Sequence, residues 1–252
     1  MSGSASRLII AIDGPAGAGK STVASRVAAR YGLLNLETGA MYRAFALQAV
    51  EAGADLDNEE ALLRLTGVER IRLEPSPAGN RVYLNEREVT QRIREGDIAA
   101  AASRVSVHPG VRKWMVAQQR RLGAAGGVVM EGRDIGSAVF PQADLKIFLD
   151  AEAGVRGKRR QQQTGRLGEE AEETVLHEIR ERDRRDKTRA ESPLAPADGA
   201  IILDSTDLTL DEVVNRIDAL IQERIQERML EQSQKQTGEP TAQRTVGRSL
   251  TP

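Results

Sequence analysis

Apolar positions along the chain follow two alternating periods. Arg7–Ile12 is a short, almost wholly apolar run, the pattern of a buried strand. Lys20–Tyr31 places valines and alanines at helical spacing and stops at Gly32. "LLNLETG" reads as a second short strand entering a turn, and Ala40–Ala52 and Asn58–Thr66 return to the helical period. Between about Val68 and Thr90 the period drops to two. "RIRLEP", "NRVYLNE" and "REVT" alternate apolar with polar, with "SPAGN" between the first two, and predict a small antiparallel insert. Gly96–Ser106 and Pro109–Leu122 are predicted helices, the second with proline at its start. "GGVVMEG" and "DLKIFLD" are predicted buried strands, and Ala151–Leu167 and Glu169–Arg189 predicted helices. "AIILD" is the last core strand, and Leu210 to about Glu231 the closing helix.

Strands that alternate with helices predict an α/β fold, a doubly wound parallel sheet with helices on both faces in three layers. Residues 1–231 then form a single domain. The polar, aperiodic stretch 232–252, broken by proline and glycine, is expected to be a disordered tail.

The 252 residues carry a formal net charge of −1, which suits one domain and gives no field for nucleic acid. There is no cysteine, so disulfides, thiolate nucleophiles, zinc fingers and iron–sulfur clusters are excluded. No run approaches the roughly 20 apolar residues of a membrane span, and "MSGSASRLII" lacks the apolar core of a signal peptide. The expectation is a cytoplasmic monomer.

The first strand runs into Gly14-Pro15-Ala16-Gly17-Ala18-Gly19-Lys20-Ser21-Thr22, which fills every fixed position of G-x-x-x-x-G-K-[ST]. A strand before it and a helix after it are the context this phosphate-binding loop requires. Glycines let successive N–H groups point inward, and the helix adds its positive end. Lys20 reaches the β- and γ-phosphates, and the Ser21 hydroxyl ligates Mg²⁺. The loop specifies a nucleoside triphosphate and leaves the acceptor open. No N-K-x-D sequence reads guanine, and the chain has no room for a motor or large effector domain.

Three further stretches carry candidate acceptor chemistry: "ETGAMYR" (Glu37–Arg43), "EGRDIGS" (Glu131–Ser137) and "RERDRRDKTR" (Arg180–Arg189). The first two fall at carboxyl ends of strands, where open α/β sheets bind ligands. In the third, Arg182, Asp186 and Arg189 share a helix face by spacing, either as a binding stripe or as a solvated face laced with ion pairs. With the phosphate loop, "TGAMYR", "EGRDIG", "KIFLDA", "ERDRRDKTR", "SPL" and "LDST", the chain resembles the bacterial cytidylate kinases from about Leu8 to Ala219. Glu37 stands where that family usually has Asp, Ser137 where Thr is usual, and Gly154 and Gly157 where better helix formers are normal.

The resemblance implies a P-loop kinase fold with a monophosphate-binding insert at about 68–90 and a helical lid at about 151–190. It implies ATP and CMP or dCMP as substrates and Mg²⁺ as cofactor. Arg43 and Arg133 become acceptor-phosphate clamps, and Thr38 and Tyr42 part of the same CMP site. Arg182, Asp186 and Arg189 hold the acceptor's sugar and phosphate. Ser103, Arg112 and Asp134 read the base, the alternative for Ser103 and Arg112 being a helix contact and a surface charge. Arg156 and Arg159 in the lid meet ATP phosphates. Glu131 holds a magnesium-bound water or is structural. Lys20, Arg133, Arg182 and Arg189 make up the catalytic set. Another small P-loop kinase acting on UMP, AMP or shikimate, or a nucleotide-sensing switch, is the competing reading.

Overall fold

The central strand, β1 (Ile9–Asp13), pairs in parallel with β6 (Val128–Gly132) on one side and β7 (Leu145–Asp150) on the other. β2 (Leu34–Glu37) and β8 (Ile201–Asp204) complete a five-stranded parallel sheet in the order β2-β6-β1-β7-β8. The computed structural model describes residues 7–67, 70–76, 79–164 and 169–237. Residues 68–69 and 77–78 of the expected insert, 165–168 of the expected lid and 238–252 of the expected tail lie outside the described residues.

Both faces of the sheet are buried, which is why its strands read as continuous apolar runs. Ile10 and Ile12 pack with Val23 and Val27 of α1 (Lys20–Tyr31) and with Ile217 and Ile221 of α8 (Leu210–Thr237). Ala11, on the opposite face, packs with Met130, Ile135 and Val139, and Val116 of α5 (Pro109–Gly123) joins them. This is the three-layer, doubly wound arrangement expected from the sequence.

A second core surrounds α2 (Thr38–Glu51). Phe45 and Leu47 meet Leu62 of α3 (Glu59–Leu63), Ile98 of α4 (Gly96–Val105) and Met115 of α5. The antiparallel insert, β3 (Ile71–Glu74), β4 (Arg81–Leu84) and β5 (Arg87–Glu88), contributes Val82 and Leu84 to it. Two helices, α6 (Ala153–Thr164) and α7 (Glu169–Thr188), precede β8.

Several helix boundaries differ from expectation, those of α2, α3, α6 and α8 among them. α2 begins at Thr38, two residues early, because the Thr38 hydroxyl donates to the Glu131 carbonyl at 2.8 Å and fixes the first turn against β6. α8 runs to Thr237, past the predicted stop near Glu231. Its last turns hold glutamine, glutamate, leucine and lysine, good helix formers without an apolar stripe. Arg228 lies 3.0 Å from Asp144 in an ion pair, and the other Asp144 oxygen accepts the Ile9 N–H at 2.8 Å.

Gly14 leaves β1 at φ +146°, and a Cβ there would lie 1.9 Å from the Leu149 carbonyl oxygen of β7. Gly14→Ala is therefore expected to lower the thermal unfolding midpoint by about 5–10 °C. Strained backbone costs about 1–3 kcal/mol before the clash is counted, and each kcal/mol moves a chain of this size by about 2–4 °C. Calorimetry on the purified variant reads the shift.

Candidate active site

Because β6 lies between β2 and β1, the carboxyl ends of three strands converge. β1 delivers the loop 14–21, β6 delivers Glu131 to Asp134, and β2 delivers Glu37 and the first turn of α2. The Asp13 carboxylate closes this edge by accepting the N–H groups of Ile135 and Gly136 at 2.8 and 2.7 Å. Burial pushes its pKa up to about 6 despite those two bonds. On the far side of the same turn, Arg120 donates to the carbonyls of Ala138 and Val139 at 2.6 and 3.0 Å. The stretch after β6 is thus held at both ends.

Lys20 is buried at the loop's end and donates to the Pro15 carbonyl at 2.7 Å. Burial, reinforced by Arg133 and Arg182 and partly offset by Glu131 and Asp13, pushes its ammonium down to about 7. Ser21 donates to Glu131 Oε1 at 2.9 Å, and burial raises the pKa of that carboxyl. Thr22 is exposed in the first turn of α1.

Across β6 lies a field of arginines. Arg43 pairs with Glu37, leaving its buried Nε without a partner. Arg133 donates through Nε to Asp186 Oδ2 at 2.9 Å. Arg189 lies 3.6 Å from Asp186 Oδ1 and 4.0 Å from Asp134 Oδ1, and its Nη2 is buried without a hydrogen bond. Burial and then Arg133 bring the Arg182 guanidinium down to about 10, with Arg43 and Arg160 adding to the effect. Burial opposes ionisation of Asp186, but Arg133, Arg182 and Arg189 together hold its carboxyl below the ordinary value. Such crowding of cations in a poorly solvated cleft is an anion site by electrostatics alone.

Deeper in, Arg112 pairs with Asp134, both buried, and also donates to the Ser106 carbonyl at 3.2 Å. The Arg112 guanidinium stands 5.8 Å from the Tyr42 ring centroid. The Tyr42 hydroxyl is buried without a partner, and burial raises its pKa to about 12. Ser103 accepts a 3.1 Å bond from Arg185 of α7.

The two lid arginines fall differently. Arg156 is buried and donates to the carbonyls of Ala16 at 2.9 Å and Ala151 at 2.7 Å, and it pairs with Asp183 at 2.8 Å. Arg159 donates to the hydroxyl and carbonyl of Ser205 at 3.0 and 2.7 Å, beyond the end of β8. Both guanidinium groups are therefore engaged with protein oxygens. The geometry also gives work to residues the sequence reading assigned none: Asp13, Arg120, Asp183 and Arg185. Only Asp13 left a trace in the pattern, as a lone carboxylate ending an apolar strand.

The family model described as "Cytidylate kinase" matches residues 10–224. A cytidylate kinase of Anoxybacillus flavithermus is 47% identical over 219 residues, spanning 86% of this chain and 97% of that protein. One from Solibacter usitatus is 46% identical over 222 residues, spanning 86% and 94%. Among solved structures, shikimate kinase from Acinetobacter baumannii superposes with a TM-score of 0.42 at 16% identity, covering 86% of this chain and 94% of that one.

An anion beside Lys20 reverses what burial and neighbouring cations do to it, so its pKa rises toward the ordinary lysine value of 10.5. At pH 8.5 the free amine is mostly neutral and the bound one protonated. Binding of the ATP analogue AMPPNP is then expected to take up about one proton. Below pH 6 Lys20 is protonated in both states and contributes none. Titration calorimetry in buffers of different ionisation enthalpy measures the uptake. Lys20→Met should abolish it, and no uptake by the unaltered protein at pH 8.5 contradicts a buried, depressed Lys20.

Proposed function

The chain belongs to the cytidylate kinase family, and on that premise we propose that it transfers the γ-phosphoryl group of ATP to CMP and dCMP, forming ADP and CDP or dCDP. The observation that carries this reading is a pair of adjoining anion sites. One is the loop 14–21 backed by Lys20. The other, across β6, is the group Arg43, Arg133, Arg182 and Arg189, where the buried Arg43 Nε and Arg189 Nη2 have donors to spare.

In this reading an oxygen of the acceptor phosphate attacks the γ-phosphorus while the bond to the β–γ bridging oxygen breaks, and ADP leaves with the electron pair. The attacking oxygen is already anionic, so no general base is required. The protein's contribution is alignment and positive charge. Lys20 and the loop N–H groups hold the donor. Arg43, Arg133 and Arg189 hold the acceptor phosphate, and Arg182 takes up charge spreading over the transferred group. Thr38, Tyr42 and Asp186 line the acceptor.

Cytosine offers an amine beside ring acceptors. The Asp134 carboxylate takes the amine, and the Arg112 guanidinium serves the acceptors, with Ser103 beside them. Uracil presents an oxygen to Asp134 and an N–H to Arg112, so both contacts turn unfavourable.

Ser21 and Glu131 fit a magnesium ion, since their paired oxygens are hard ligands. Among the described residues no group of three or more His, Cys, Asp or Glu side chains could hold a metal. Ser21 would hold it directly and Glu131 through water, with the triphosphate completing the set. When bound with ATP, Mg²⁺ neutralises charge on the β- and γ-phosphate oxygens. Among the described residues no helix is long and apolar enough to cross a membrane. The reading is of a cytoplasmic monomer acting on free nucleotides.

An ADP-release assay over CMP, dCMP, UMP, AMP and shikimate tests the reading. CMP and dCMP are expected to exceed the others by at least about 100-fold in kcat/KM, with matched buried hydrogen bonds able to give up to about 10⁴–10⁵-fold. Equal turnover of all five overturns it. Asp134→Asn should lower the CMP-to-UMP ratio of kcat/KM by about tenfold, equivalent to about 1.4 kcal/mol, because an amide can donate to uracil. An unchanged ratio removes Asp134 from base reading. Lys20→Ala should abolish turnover with the unfolding midpoint retained.

A further inference from the structure

Arg156 of the lid is held at three points. Its Nε donates to Ala151 at the end of β7. Its Nη1 nitrogen lies 2.9 Å from the Ala16 carbonyl of the phosphate loop and 2.8 Å from Asp183 Oδ2 of α7. One nitrogen thus hydrogen-bonds the phosphate loop and ion-pairs with α7. The loop is close-packed against the same residue: a Cβ on Gly17 would lie 2.9 Å from the Arg156 carbonyl oxygen. Asp183 follows Arg182 directly and precedes Asp186, which Arg133 holds from β6. α7 is therefore fixed at two points, one toward each half of the site.

We infer that Arg156 and Asp183 form a positioning strut that sets the arginine stripe of α7 against the phosphate loop and so couples the two nucleotide sites. The inference rests on the phosphoryl-transfer reading above. Three physical arguments support it. First, the Ala16 contact is made to a carbonyl, so it leaves the loop's N–H groups free for phosphate. Second, a buried ion pair is a poor source of stability, because desolvation offsets the attraction. Here Asp183 Oδ1 is also buried without a hydrogen bond, which adds a further cost. Third, what the pair supplies is a fixed spacing, and in-line transfer is sensitive to misplacement: about 1 Å costs about 100-fold.

The test separates position from stability. Replacing both charges by apolar groups, Arg156→Met with Asp183→Leu, should leave the unfolding midpoint unchanged or raised, as for other buried pairs. Binary dissociation constants of AMPPNP and of CMP should stay within about threefold of the unaltered chain, since both side chains are engaged with protein atoms. The mutual enhancement of AMPPNP and CMP binding in the unaltered chain should vanish in the double variant. With CMP, kcat should fall about 30-fold with little change in either KM. Arg156→Lys, which keeps the charge and one contact, should recover part of kcat, and it carries the test if the double variant unfolds.

Retention of kcat within twofold in the folded double variant, or of the binding enhancement, overturns the inference. So does a loss of binary AMPPNP affinity matching the loss in kcat, which would make Arg156 a nucleotide ligand instead. No CMP turnover by the unaltered chain overturns the activity reading and the inference with it. Normal turnover by that chain with an unaffected double variant overturns the strut alone.

Discussion

The carboxylate of Asp13 accepts two backbone N–H groups from the turn after β6, at 2.8 and 2.7 Å. Everything at the mouth of the sheet is registered to those two bonds. The next residue, Gly14, opens the phosphate loop, and the residue before the held N–H groups is Asp134. One buried charge therefore fixes the phosphate loop and the Asp134 carboxylate relative to each other. Burial exacts a cost, visible in the raised pKa of Asp13. Yet without that acceptor two buried N–H groups would be orphaned, which is costlier than an ordinary lost contact.

Around this fixed edge the next constraint is burial of cations, to which their mutual repulsion adds. Arg133 raises the cost of charge on both Lys20 and Arg182, Arg182 does the same to Lys20, and Arg43 to Arg182. Asp186, Glu37 and Asp134 balance part of that charge through direct pairs, which hold the guanidinium planes in place. An arrangement tense with positive charge and rigid in geometry is what a polyanionic transition state requires. In the proposed reading an anion relieves that tension, so affinity and pre-organisation come from the same residues.

Much of this was legible in the chain. The phosphate loop is contiguous, and its glycines, lysine and hydroxyl act through backbone geometry that sequence order dictates. "TGAMYR" and "EGRDIG" fell at strand ends because the strands were readable as apolar runs. Partners of the long charged side chains were not legible. Arg156 and Arg159 are three residues apart on one helix, yet one reaches Ala16 and Asp183 while the other reaches Ser205. The helical spacing that grouped them says nothing about what each face meets. Arg185 likewise reads as one more surface charge until α7 is laid against α4 and its guanidinium meets Ser103.

The sequence by itself determined the alternation of strands and helices, the insert between α3 and α4, the donor loop and the residue types of the acceptor side. Those properties follow from local periodicity, turn chemistry and contiguous motifs, which need no partner far along the chain. Tertiary structure alone decided which carboxylate each arginine took, that Asp13 spans 122 residues to hold Ile135, and that α8 continues to Thr237 after Arg228 finds Asp144. Flexible side chains can satisfy many partners. Only the packed sheet, by fixing which strand ends are neighbours, leaves one choice within hydrogen-bond reach.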